Sequence, residues 1–211
     1  MSNKKILVLP GDGIGNEVMN EVLKIIEWLS KTKSISFDIS ERLVGGTAYD
    51  KEGDSISDET MQEALNSDAV LFGAVGGPKW DDVDRKKRPE AALLRLRKEL
   101  DLFANLRPAV VFNALAEASP LKIDLVKGLD ILILRELTSG VYFGEPRGVT
   151  RLNDQEEKAV DTQSYTTSEI TRITRVAFDL AKLRNNKVTS VEKSNVMETG
   201  MFWKNIVTNL H

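Results

Sequence analysis

Apolar and polar positions along this chain switch repeatedly between a strand-like run and a helical period. Lys5 to Leu9 is a compact apolar run, broken by Pro10-Gly11-Asp12-Gly13-Ile14-Gly15 before a helical pattern opens near Asn16. Val18, Val22, Ile25, Ile26 and Leu29 recur at i, i+4, i+7, i+8 and i+11, which predicts one buried helical stripe. A strand is expected over 35–41, with loops around Gly45-Gly46 and over 51–55. Ser57 is placed to cap a helix carrying Met61, Ala64 and Leu65, and 68–75 reads as a buried strand running into Gly76-Gly77-Pro78.

The same alternation continues downstream. After a charged, irregular segment from Trp80 to Arg88, Pro89 suits a first helical position, where its missing N–H costs nothing. Strands are predicted over 109–112 and 129–134, with a helix between them after Ser119-Pro120. A polar, partly extended stretch over 156–166 leads to Ser168, a candidate cap for a helix striped by Ile170, Ile173, Val176, Ala177 and Leu180. A strand over 187–192 and a last helix carrying Phe202, Ile206, Val207 and Leu210 complete the pattern, with no internal repeat. Strands alternating with amphipathic helices predict an α/β fold with a mainly parallel sheet, whose ligands gather at the carboxyl ends of strands.

Composition narrows the function classes. With 211 residues, 41% hydrophobic and 29% charged, the chain has the make-up of a globular protein of one large or two small domains. A net charge of -3 opposes nucleic-acid binding, which needs a sustained basic stripe. There is no cysteine, so neither a disulfide framework nor thiolate chemistry is available. Four apolar residues before Pro10 are too few for a signal peptide or a membrane span, so a cytoplasmic protein without a membrane partner is expected.

Candidate chemistry centres on cations. Arg97, Arg107 and Arg135 each border an apolar segment, where a guanidinium can be held rigidly against a small dicarboxylate; separate structural ion pairs are the alternative. Tyr142, in a Gly-flanked turn seven residues past Arg135, is a candidate acid that needs nearby positive charge, and Lys193 is a candidate proton carrier; rim tyrosine and exposed lysine are the plain readings. Gly11 to Gly15 invites a dinucleotide-binding reading, but the third glycine of that fingerprint belongs where Asn16 stands. A tight turn with a structural Asp12 fits better. Gly76-Gly77-Pro78-Lys79-Trp80 is either a ligand loop or a connection, and Arg85 to Arg88 either a phosphate contact or a solvated loop. Asp81, Asp82 and Asp84 lack a metal-loop pattern, and the terminal His211 has no partner that marks a metal or acid-base role.

Taken together, Leu9 to Gly15, Glu90 to Arg97, Asp101 to Pro108, Arg135 to Gly148 and Ser190 to Asn195 resemble, in order along the whole chain, the β-decarboxylating dehydrogenases of the isocitrate/isopropylmalate dehydrogenase family. The resemblance implies a non-Rossmann two-domain fold: 1–101 in a first α/β domain, 102–211 in a second that carries dimerisation and substrate binding. It implies that Arg97, Arg107 and Arg135 hold two carboxylates and that Tyr142 and Lys193 transfer protons, the lysine commonly reaching the site from the other subunit of a homodimer. Glu90, Leu93 and Leu94 discriminate within the family, because leucines suit an isopropyl group where isocitrate enzymes place serine and asparagine. The implied reaction is NAD-dependent oxidative decarboxylation of 3-isopropylmalate to 4-methyl-2-oxopentanoate, in leucine biosynthesis. Ile14, Gly76, Gly77, Pro78, Lys79, Glu90 and Asn195 are implied neighbours of NAD. Family members continue well beyond the point matching His211, and the aspartates that bind Mg2+ or Mn2+ lie there. The 211 residues by themselves are therefore expected to be an inactive fragment; the alternatives are a non-catalytic module with a partner, or action on another 2-hydroxy dicarboxylate such as isocitrate or tartrate.

Overall fold

The computed structural model describes residues 3–33 and 35–211, which fall into two compact units, 1–101 and 102–211. In the first unit, strand β1 (Asn3–Gly11) lies between β2 (Ser36–Glu41) and β3 (Ala69–Ala74), all parallel. Side chains alternate across a strand, so β1 feeds two cores. Leu7 and Leu9 pack with Val44, Ile56, Met61 and Leu96 on one face, whereas Ile6 and Val8 meet Met19 and Ile26 on the other. The second face is covered by helix α1 (Ile14–Lys33), and the first by α3 (Asp58–Leu65) and α4 (Pro89–Glu99).

Two features of the first unit differ from the sequence expectation. The buried stripe of α1 is Met19, Val22, Leu23 and Ile26, while Val18 and Ile25 are half exposed or more. Apolar residues cover a wide arc of this helix, and only the arc facing the sheet is buried; Ile14, Val18, Ile25 and Trp28 occupy the rest. The segment read as loops around 45–55 contains helix α2 (Gly46–Glu52), whose seven residues are too few to show a helical period. Ser57 caps α3 as expected, its hydroxyl accepting from the Thr60 amide, and Pro89 opens α4.

The second unit is not parallel. Strands β4 (Ala104–Val110) and β5 (Asp130–Glu136) form an antiparallel ribbon, as do β6 (Gly144–Arg151) and β7 (Glu157–Thr162). The link between β4 and β5 holds only a 3-10 segment, Asn113–Ala118, and the one-turn α5 (Ile123–Val126), so no crossover helix lies over the strands to make them parallel. Helix α6 (Thr167–Lys182) is capped by Thr166 rather than Ser168, in a reciprocal capping box with Glu169. The stretch over 187–192 forms no strand, because no neighbour pairs its backbone among the described residues. Helix α7 (Glu198–Leu210) closes the unit. No helix among the described residues is long and apolar enough to cross a membrane.

Candidate active site

The β4–β5 ribbon decides where the two central arginines go. Asn105 stands opposite Arg135 and Arg107 opposite Ile133, so Arg107 and Arg135 are diagonal neighbours on the same face. Both line an open cleft of about 830 Å³ within the second unit, together with Tyr142, Lys193, Glu136 and Trp203. Tyr142 comes from a 3-10 turn, Gly140–Tyr142, just past β5, and its ring lies 5.2 Å from the Arg135 guanidinium. Lys193 precedes α7, its carbonyl accepting from the Met197 amide at 3.1 Å. Two guanidinium groups, an ammonium and a phenol thus share one wall system, a combination suited to an anion that exchanges protons.

Sequence reasoning missed the support behind this wall. Glu136 ends β5 with its side chain only 2% exposed and 3.1 Å from Arg172 of α6, whose guanidinium lies 4.5 Å from the Phe103 ring. The Glu136 carboxylate also accepts from the Thr138 hydroxyl at 3.1 Å, the Ser139 amide at 2.9 Å and the Ser139 hydroxyl. Tyr165, edge-on to Trp203 with centroids 5.3 Å apart, packs against Gly140. Burial pushes the Tyr165 phenol above its ordinary value, reinforced by the Glu136 charge and opposed by Arg135. The available signal was a carboxylate directly after an arginine at the end of an apolar strand, followed by Thr-Ser-Gly.

The first unit holds the remaining candidates. Glu90, Leu93, Leu94 and Arg97 fall at i, i+3, i+4 and i+7 of α4, one stripe, while Ala92 and Leu96 turn into the core. Gly76, at φ 105°, follows β3, and a Cβ there would come within 2.9 Å of Glu90 Oε1. Ile14 is 59% exposed at the start of α1. The Lys79 ammonium pairs with Asp50 at 2.6 Å, and the Trp80 indole donates to the same carboxylate at 3.2 Å. Asn195 lies in the second unit, in the turn before α7, and is not among the residues lining the cleft.

Asp12 settles what the glycine-rich turn does. Its carboxylate, buried to 3% exposure, accepts from the amides of Gly46, Thr47 and Gly76 at 2.8, 2.7 and 2.9 Å and from the Thr47 hydroxyl at 2.8 Å. The amides of Asp12, Gly15 and Asn16 bond to backbone carbonyls. These donors are engaged within the protein, and the turn is a carboxylate-centred clasp. Among the described residues no group of three or more His, Asp or Glu side chains is placed to hold a metal ion.

The profile of the isocitrate/isopropylmalate dehydrogenase family matches residues 5–211. This chain belongs to that family. It is 59% identical over 211 residues to a 3-isopropylmalate dehydrogenase of Pelagibacter ubique and 61% identical to one of Rhodopseudomonas palustris, spanning 57% of the length of each. Among solved structures it resembles an isocitrate dehydrogenase from Methylococcus capsulatus, with TM-score 0.80 and 26% identity over 98% of this chain and 56% of that one. A β-decarboxylating dehydrogenase from Thermococcus kodakarensis, in its apo form, aligns with TM-score 0.69 and 32% identity over 98% of this chain and 54% of the other. The chain is thus the family's mixed α/β fold over a little more than half of its relatives' length.

Proposed function

We propose that this chain carries the substrate-holding and proton-transferring residues of an NAD-dependent dehydrogenase that oxidises and decarboxylates 3-isopropylmalate to 4-methyl-2-oxopentanoate. The observation that carries the reading is the gathering of Arg107, Arg135, Tyr142 and Lys193 around one cleft. In this reading Arg107 and Arg135 pair with substrate carboxylates by charge-assisted hydrogen bonds, and Arg97 supplies a further cation. Leu93 and Leu94 present an apolar surface to the branched substituent, beside Glu90. Such a surface favours an isopropyl group over a third carboxylate, which would be stranded there without a donor.

Lys193 helps to take the C2 hydroxyl proton, through a water, and NAD when bound accepts the hydride from the same carbon. Loss of carbon dioxide then leaves an enolate whose carbon Tyr142 protonates. The Arg135 guanidinium, 5.2 Å from the Tyr142 ring, stabilises the phenolate left by that transfer. Ile14 and Gly76 to Pro78 form the nicotinamide wall in this proposal, with Lys79 as an outer neighbour. Mg2+ or Mn2+, which the family resemblance implies, would polarise the new carbonyl when bound. The working form is a cytoplasmic homodimer.

The test is to follow NADH formation and carbon dioxide release in a protein of this sequence carried to the relatives' full length. Tyr142→Phe is expected to slow decarboxylation far more than it changes the KM for 3-isopropylmalate. A large loss of affinity with normal turnover would contradict the role given to Tyr142.

A further inference from the structure

We propose that Glu136 is a positioning residue for Tyr142: its buried carboxylate ties down the loop between Arg135 and the tyrosine and so fixes the phenol beneath the guanidinium. The inference rests on the reading of Tyr142 as the proton donor. A buried carboxylate in the wall of an anion-holding cleft opposes the ligand's charge, so its presence needs another explanation. Arg172, 3.1 Å away, offsets that charge, and the rest of the carboxylate's hydrogen-bonding capacity goes to Thr138 and Ser139. The next residue, Gly140, donates to the Ser164 carbonyl at 2.9 Å, and beyond it Arg147 donates to the Tyr142 carbonyl. The loop is therefore held at Thr138, Ser139, Gly140 and Tyr142. Ser139 is held by the Glu136 carboxylate, and Thr138 by that carboxylate and by the bond from Arg172.

Glutamine cannot replace this carboxylate. One oxygen faces the Ser139 amide and hydroxyl and the other faces Arg172 and Thr138, so an amide nitrogen at either place would meet a donor. In the full-length enzyme, Glu136→Gln is expected to lower kcat about tenfold while the KM for 3-isopropylmalate changes by less than about threefold. In a Tyr142→Phe background the same change is expected to add little, because both substitutions act through one proton transfer. A rise in KM with kcat preserved, or losses that multiply in the double variant, would overturn the proposal. If Glu136→Gln does not fold by circular dichroism, Ser139→Ala enters the same cycle, since it removes one hydroxyl from the tie.

Absence of turnover by the wild-type protein would sink the enzymatic reading and leave the positioning claim to be decided on the 211-residue chain. There, carbon-13 labelled tyrosines give separate signals for Tyr142 and for Tyr49 of α2, the former assigned by its loss in Tyr142→Phe. Glu136→Gln and Ser139→Ala are expected to shift or broaden the Tyr142 signal and leave Tyr49 in place. An unmoved Tyr142 signal would show that Glu136 does not position it.

Discussion

Arg107 and Asp12 show how differently two charged residues in glycine- and proline-rich surroundings are employed. Arg107 faces an open cleft with Arg135 beside it. Truncation to Ala is expected to reduce kcat/KM for the proposed substrate by roughly 2 to 5 kcal/mol, because a carboxylate then loses its charged hydrogen-bond partner; an unchanged kcat/KM would remove Arg107 from the site. Asp12, by contrast, is closed off by four donors from two segments. Asp12→Ala leaves those buried donors unsatisfied and is expected to destabilise the first unit by roughly 3 kcal/mol or more, read by urea unfolding; a loss under about 1 kcal/mol would contradict the clasp. From sequence, the spacing at Asn16 already argued against a phosphate-binding turn. What it could not show was which distant amides the carboxylate collects, since Gly46 and Gly76 approach Asp12 only through the tertiary fold.

Elements were legible where their apolar period was complete. The capped helix after Ser57, the Pro89 helix and the strands of the first sheet all stand near their expected places. The β6–β7 ribbon was not foreseen as a pair, because almost every position on it is exposed and no alternation marks a buried face. The stretch over 187–192 has the composition of a strand, yet a strand exists only with a partner. Thr166 took the cap expected at Ser168 because Glu169 then stands at the third helical position and completes the reciprocal bond. Thr166→Ala is expected to cost about 1 kcal/mol in thermal unfolding, while Ser168→Ala costs appreciably less; the reverse order would contradict this assignment. Gly140, at φ 77°, opens the turn that carries Tyr142, and a Cβ there would come within 2.5 Å of the Tyr165 hydroxyl. Gly140→Ala is expected to destabilise by at least about 1–2 kcal/mol and to displace Tyr142; wild-type stability and turnover would show that the turn tolerates a side chain.

At the scale of the whole molecule, the two units differ in what holds them. The first is a parallel sheet with a core on each face, and several of its surface carboxylates are held below their ordinary range. Asp50 is lowered by hydrogen bonds from Lys79 and Trp80, Glu63 by Ser40 and Arg42, and Asp68 by the Lys5 amide and then Lys4. A depressed folded-state pKa contributes stability above the unfolded value, and that contribution is lost as pH falls through the folded value. The first unit is therefore expected to weaken on acidification below about pH 4, by a small and salt-sensitive amount because these groups are exposed. With Trp28→Phe and Trp203→Phe in place, Trp80 fluorescence reports the Asp50 contact directly. Its acid midpoint should lie below that of a free aspartate, and a midpoint at or above it would contradict the assignment. The second unit is two antiparallel ribbons and two long helices, with the cleft lined by the β4–β5 ribbon, the turn that carries Tyr142 and the segment leading into α7. The most direct test compares kcat/KM for 3-isopropylmalate, isocitrate and tartrate, with NAD and magnesium, in a protein of this sequence carried to its relatives' full length. A clear preference for 3-isopropylmalate is expected, with kcat/KM falling in Arg107→Ala, whereas faster turnover of isocitrate or tartrate would contradict the reading.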